Sequence, residues 1–333
     1  VFTGKFRVAK PNAQHAQFIA DVLHICESHE IATVIPTCEE TFHLAKAMDQ
    51  FAARGIRLFT SPIETLGVLH NKFTFIELAK RLDLPVPLTF EASSHLQLEE
   101  ARRAIEGRCI IKPVYSRFSE SVYMLDPADP LPNMSISPEQ PWVVQQYIGG
   151  TQYCSYSVAH QGELAAHGCY ATQYAYGHAT VYFEAVQHAG IEAFVTKIIA
   201  HFGFTGQISF DFIVQDDGSF YPIECNPRTT SGVHVFSSNV CFPRTFFAPI
   251  EGRVLRPLAA SPRMLGLAML RHVVRTPRAW LAFWRGRDVL WSWRDPLPAI
   301  DQFVVFAQLL LRARKQHVSV ITLLTEDIQW GGE

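Results

Sequence analysis

Between Phe204 and Arg228, two runs rich in aromatic and β-branched residues flank Asp217-Gly218. That dipeptide between such runs is the sequence form of a tight β-hairpin, because the turn needs residues that accept φ > 0. With a two-residue loop Asp216 pairs with Ser219, and counting outward brings Asp211 opposite Glu224. Residues opposite each other share a face of the sheet, and Asn226, two residues on, shares it too. Two adjacent carboxylates repel unless a cation lies between them. Carboxylate and amide oxygens are hard donors, suited to Mg²⁺ shared with substrate phosphates. Arg228, just beyond, offers a guanidinium fork to such a phosphate. Any one of these residues alone reads as a solvated face or a local ion pair; four at this spacing read as a metal and phosphate site. Cys225 reads as a small buried residue. A change of one residue in the turn breaks the pairing.

The segment resembles the end of the ATP-grasp fold, whose signature is an acidic residue on one strand and Glu-x-Asn-Pro-Arg on the next; Glu224-Cys225-Asn226-Pro227-Arg228 matches it in full. The resemblance implies ATP as nucleotide, with one or two Mg²⁺, or Mn²⁺ in their place, on Asp211, Glu224 and Asn226. It implies a catalytic Arg228 that contacts the transferred phosphoryl group. It spans about Ile31 to Phe236 and is nearest the carbamoyl-phosphate-synthase-like branch. The fold class it implies is α/β plus α+β: a Rossmann-like lead-in over 1–68, a small lid subdomain over 69–145, a large subdomain with the metal site over 146–250, and a mostly helical extension over 251–333. The chain opens on Val1 without a strand and Gly-rich turn, which reads as an N-terminally shortened lead-in.

Taken in order, residues 14–26 have helical spacing, Ile31–Ile35 reads as a strand stopped by Pro36, a helix is expected over Glu39–Arg54, and a second strand over Ile56–Phe59. This is the βαβ pattern of a parallel sheet. Glu39 and Glu40 leave the carboxyl end of the first strand, where ligands of such sheets bind; as acidic residues complementing a helix start they have a simpler explanation. A helix opens at His70-Asn71-Lys72 with Phe75, Leu78, Ala79 and Leu82 along one face, and by resemblance Lys72 reaches the nucleotide phosphates. Cys109–Pro113 reads as a strand whose Lys112 must send its ammonium somewhere polar. The resemblance makes Lys112 the second nucleotide lysine, with a catalytic part. The loop after it has no glycine, so Ser116 and Arg117 are expected to hold phosphate through side chains where the family uses backbone.

Trp142–Ile148 reads as a strand running into Gly149-Gly150, and the resemblance assigns Gln145, Gln146, Tyr147 and Ile148 to the nucleotide. Gln152 takes the ribose position, with Gln146 and Gln152 standing where the family has glutamates. Strands at Tyr153–Ala159 and Glu163–Cys169 are joined by Gln161-Gly162. A tyrosine-dense loop over Tyr170–Phe183 is the candidate substrate loop, and Thr229 to His234 is expected near the acceptor pocket. Ile191 to Phe202 is an amphipathic core helix.

The chain has 333 residues, 48% hydrophobic content and a net charge of −2, which makes no electrostatic case for nucleic acid. Seven scattered cysteines without a C-x-x-C indicate a reducing compartment, read as the cytoplasm. No apolar run reaches the roughly 18 residues of a membrane span; Phe303–Leu311 comes nearest and reads as a buried helix. Trp280, Trp284, Trp291 and Trp293 alternate with arginines, a pattern read as a helical cap, with peripheral membrane contact not expected. A homodimer is compatible with the sequence.

By resemblance, then, the chain is an ATP-dependent ligase that converts a carboxylate to an acyl phosphate and couples it to an amine or thiol, both small molecules, releasing ADP and phosphate. The rival readings are a bicarbonate-using carboxylase or carbamoyl-phosphate-type enzyme, and a non-catalytic ATP-binding module.

Overall fold

The computed structural model describes residues 4–115, 121–176, 179–250, 252–258, 261–293 and 295–318, with 320, 323, 328 and 330–332. The chain divides into two units, one joining the residues up to Ile63 with Ser261–Gly331, the other running from Glu64 to Ala260.

In the first unit a helix at His15–Ser28 precedes two short strands, Thr33–Val34 and Arg57–Leu58, which pair in parallel. The segment between them is two helices, Glu40–Ala45 and Met48–Ala52, in place of the single one expected. The chain turns at Lys46-Ala47, so that Leu44 and Phe51 both reach the core formed with Phe18, Ile19, Leu23, Ile56 and Leu58. Glu40 behaves as its position at a helix start suggests, its carboxylate accepting from the Thr37 and Cys38 N–H groups. Glu39 is fully buried and accepts from the Trp330 N–H. After Ser261 the chain is helical at Gly266–Val273, Pro277–Arg285 and Leu297–Gln316. The last of these corrects an expectation: Phe303, Val304, Val305, Phe306 and Leu311 are exposed, not buried. Among the described residues no helix is long and apolar enough to cross a membrane.

In the second unit a helix at Ile63–His70 leads into α1 (Lys72–Arg81), whose cap Asn71 accepts from the Phe73 and Thr74 N–H groups, satisfying two of the unpaired donors of a helix start. Then come β1 (Thr89–Ala92), α2 (His95–Ala104), β2 (Cys109–Pro113), β3 (Tyr123–Leu125) and β4 (Trp142–Gln146). The four strands form an antiparallel sheet in the order β1-β4-β2-β3. Leu98 and Ala101 of α2 share its core with Ile111, Trp142 and Val144.

A second sheet is built from β5 (Thr151–His160), β6 (Glu163–Ala171), β7 (Ala185–Val186), β8 (Gly206–Val214) and β9 (Phe220–Asn226), in the order β7-β6-β5-β8-β9. Gln161 and Gly162 link β5 to β6 with φ of 48° and 86°, the left-handed pair a hairpin turn requires. Between β7 and β8, α3 (Ala189–Phe202) ends at Gly203 with φ of 57°. One face of β8 presents Ile208, Phe210 and Phe212, none with measurable exposure. Phe194 of α3 meets Phe210 and Phe212 edge to face at 5.8 and 5.3 Å, and Phe75 of α1 lies 5.8 Å from Phe210. This aromatic core holds α1, α3 and the sheet together.

The tyrosine-dense stretch is more ordered than a loop, with Ala175–Tyr176 and Ala179–Thr180 forming a small antiparallel pair. Tyr182 and Phe183 are buried, and Tyr176 is exposed. The tip at 177–178 lies outside the described residues.

Buried histidines make this fold acid-sensitive. His167 of β6 bonds the Ser157 hydroxyl through Nδ1 at 2.9 Å, and burial pushes its pKa down to about 4 from 6.5; burial does the same to His43. Between those values the unfolded chain binds the proton and the folded chain does not. The stability from neutral His167 is therefore fully present above pH 6.5 and lost as the pH falls to about 4, up to about 3 kcal/mol. Urea unfolding from pH 7 to 4 should show a shallower decline in His167→Gln than in wild type.

Candidate active site

The hairpin centred on Asp217-Gly218 does place Asp211 opposite Glu224, by a different route from the simple count. The loop is one residue longer than expected. Gln215 pairs with Ser219, the Gly218 N–H closes a turn onto the Gln215 carbonyl, and Gly218 has φ of 85°, the three-residue hairpin loop with glycine in the left-handed position. Carried along the strands, that register would set Ile223 against Asp211. Instead Val214, Ile213 and Phe212 pair with Phe220, Tyr221 and Pro222, and the register then shifts so that Asp211 meets Glu224 and Ser209 meets Asn226. Ile223 is the extra residue of this bulge. Bulges recur beside functional sites because they re-aim side chains, and Pro222, which has no N–H for the ladder, is suited to the edge strand.

The bulge also frees a carbonyl. Lys112, on β2 of the other sheet, donates to the Ile223 oxygen at 2.9 Å and to Gln145 Oε1 at 3.1 Å. Gln145 in turn donates to the Thr89 hydroxyl. Lys112 is 6% exposed, and burial, with Lys72 nearby, pulls its pKa down to about 8 against the opposing pull of Glu224 and Asp211. Lys72, at the start of α1 and 2% exposed, donates to the Val114 carbonyl and lies 3.9 Å from Glu224 Oε1. Two lysines are thus buried beside two carboxylates. Asp211 shows the strain of the pair: burial and the Glu224 charge raise its pKa above the usual carboxylate value.

Arg228 donates to Asn226 Oδ1 at 2.9 Å and to the Thr229 carbonyl. The structure therefore gathers Lys72, Lys112, Gln145, Asp211, Glu224, Asn226 and Arg228. Gln152 stands on the same face of β5, opposite Ile213 and 3.9 Å from the Cys154 sulfur. Gln146 and Tyr147 are exposed where β4 ends, their N–H groups bonded to the Leu88 and Arg108 carbonyls; Ile148 is half-buried. Gly150 must be glycine, since a Cβ there would lie 2.4 Å from the Val214 oxygen. Ser116 and Arg117 lie outside the described residues.

Several polar residues on this face were not singled out from sequence. Cys154 lies opposite Asp211 on β5, and burial and the Asp211 charge push its thiol pKa up. Gln207 accepts from the Tyr156 and Thr229 hydroxyls, both at 2.5 Å, and Ser209 bonds Thr230 at 2.8 Å. The signal was available as period two on β8: Gln207, Ser209 and Asp211 alternate with Ile208, Phe210 and Phe212.

The donor set fits a hard divalent cation. Asp211, Glu224 and Asn226 present two carboxylates and an amide on one face, and burial with the Glu224 charge makes Asp211 costly to ionise without one. Among the described residues no cluster of three or more His, Cys, Asp or Glu is placed to hold a metal ion; a hard ion on this face would take its remaining ligands from phosphate and water.

Lys112, bonded to the Ile223 carbonyl, joins the two sheets beside the carboxylate pair. Residues 69–232 match the ATP-grasp domain family. The second unit therefore carries an ATP-grasp domain, and the chain is distantly similar to a carbamoyl phosphate synthase large chain. The carbamoyl phosphate synthase large chain of Archaeoglobus fulgidus is 22% identical over 272 residues, which cover 76% of this chain and 24% of that protein. The chain thus spans about a quarter of the length of this curated relative. Among solved structures, the L-amino acid ligase from Bacillus licheniformis superposes with a TM-score of 0.52 at 16% identity, over 68% of this chain and 57% of that one. The carboxyaminoimidazole ribonucleotide synthase from Aspergillus clavatus, complexed with ATP, gives 0.58 at 13% identity, over 78% and 73%. At these identities the structures establish the shared fold.

Proposed function

We propose that this chain is an ATP-dependent ligase that activates a carboxylate as an acyl phosphate and passes the acyl group to an amine. The observation that carries the reading is the convergence of Lys72 and Lys112 on the Asp211–Glu224 pair, with Arg228 beside Asn226. Asp211, Glu224 and Asn226 would hold Mg²⁺, which when bound supplies positive charge to the phosphate oxygens. Lys72 and Lys112 add fixed positive charge for the ATP phosphates, and Arg228 offers its fork to the transferred phosphoryl group.

An oxygen of the substrate carboxylate attacks the γ-phosphorus as the bond to ADP breaks. The amine nitrogen then attacks the acyl carbon, phosphate leaves, and the nitrogen sheds a proton. No protein nucleophile takes part; catalysis is positioning and charge dispersal. Gln207 binds the Tyr156 and Thr229 hydroxyls, so the groups beside Arg228 on this side are neutral and would leave an acceptor amine unpaired by a carboxylate.

The test is release of ADP and phosphate from Mg-ATP in the presence of pooled small carboxylic acids, amino acids and amines, with hydroxylamine to trap an acyl phosphate. Acid-dependent release with formation of a hydroxamate supports the ligase. Release that depends on bicarbonate alone would transfer the reading to a carboxylase. ATP binding without turnover in any pool would favour the non-catalytic module.

A further inference from the structure

The helices Gly266–Val273, Pro277–Arg285 and Leu297–Gln316 carry most of their large apolar side chains outward. The Pro277–Arg285 helix buries Ala279 and Ala282, while Trp280, Leu281 and Trp284 stand 53%, 64% and 69% exposed. The Gly266–Val273 helix buries Met269 and leaves Leu267 and Leu270 in solvent, with Val274 just past its end. The Leu297–Gln316 helix buries Ala299 and Ala313 and exposes Leu297, Ile300, Phe303 and Val304 at helical spacing. Trp291 and Trp293 are exposed in the link before it. A surface helix in water does the reverse, and an exposed apolar face of this extent marks a binding surface.

Charge decides what covers it. From Gly252 to Gln316 the sequence has twelve arginines and lysines against three aspartates, and it has no acidic residue between Gly252 and Arg287, in a chain whose net charge is −2. Arg275, Arg278 and Arg287 are exposed. A second copy docked by two-fold symmetry would set arginines against arginines, which opposes association. Nucleic acid would answer the arginines and stack on the indoles, yet would leave the leucines, Ile300 and Phe303 without an apolar partner. An anionic bilayer surface suits all three classes: acyl chains for the aliphatic side chains, the interface for tryptophan, phosphates for arginine.

We propose that these helices form a peripheral docking face for an anionic phospholipid membrane. The outward indoles and the apolar stripe on the last helix reverse the reading of this segment as a self-contained cap. The full chain should co-sediment with phosphatidylcholine vesicles containing about 30% phosphatidylserine, at least about tenfold more tightly than with phosphatidylcholine alone, and less at high salt. Brominated acyl chains should quench its tryptophan fluorescence. Arg275→Gln with Arg278→Gln should weaken partitioning about 25-fold, about fivefold per arginine at such a surface. Trp280→Ala with Trp284→Ala should lower the quenching, leaving what Trp291 and Trp293 contribute, and circular dichroism should show both variants folded, since all four substituted positions are exposed. The proposal is overturned by absence of vesicle binding, by equal binding to neutral vesicles, or by wild-type partitioning in both folded variants. A concentration-dependent dimer dispersed by the tryptophan variant, without vesicle binding, would overturn it in favour of self-association.

Discussion

Glu224→Gln should lower Mg-ATP turnover by 10²-fold to 10³-fold or more, the scale on which transition-state charge stabilisation is lost, while leaving the protein folded. The substitution keeps the side chain's size and its capacity to accept a hydrogen bond, and it removes the charge that raises the Asp211 pKa. Relief of that repulsion offsets the weakened contact with Lys72, 3.9 Å away, so the unfolding free energy should stay within about 1 kcal/mol of wild type. Isothermal titration with Mg²⁺ and a non-hydrolysable ATP analogue separates the two roles: the variant should still bind nucleotide through Lys72 and Lys112 and should need far more Mg²⁺ to do so. Wild-type turnover in the variant would remove the metal assignment. Loss of turnover with unchanged Mg²⁺ dependence would confine Glu224 to positioning Lys72.

Phe194→Ala should be the most destabilising simple truncation in the second unit. Its ring is 1% exposed and meets Phe75, Phe210, Phe212 and Phe220, so it links α1, α3 and both strands of the site hairpin. Truncating a buried phenylalanine costs about 3–5 kcal/mol, from lost burial and the cavity left behind. Chemical denaturation should show that drop. A loss below about 1 kcal/mol would mean that the neighbouring rings collapse into the space and that the aromatic cluster is not the structural support of the carboxylate face.

Much of the second unit was legible because its signals are local. Cys109–Pro113 is the strand its composition indicated, Gln161-Gly162 is the turn, and Asn71 caps the helix it precedes. These depend on residue type, period and backbone preference, which travel with the sequence. The single helix expected over Glu39–Arg54 failed because the turn at Lys46-Ala47 is set by two faces seeking one core, a tertiary demand that no local residue announces. The last helix failed in the opposite sense. Its apolar run had the composition of a core, and burial depends on what packs against a helix, which composition does not state.

The carboxylate pair divides in the same way. Sequence alone singled out Asp211, Glu224, Asn226 and Arg228 as chemically able to form a site, because charge, donor type and a turn signal at Asp217-Gly218 are properties of residues and their spacing; the two lysines came from the resemblance. Only the tertiary structure decided how they meet. A loop one residue too long would have turned Glu224 to the aromatic face of β8, and the bulge at Ile223 restores it while opening a carbonyl to Lys112 from another sheet. Strand register has a period of two, so an offset of a single residue exchanges the faces, and whether that offset is corrected rests on contacts between segments more than a hundred positions apart.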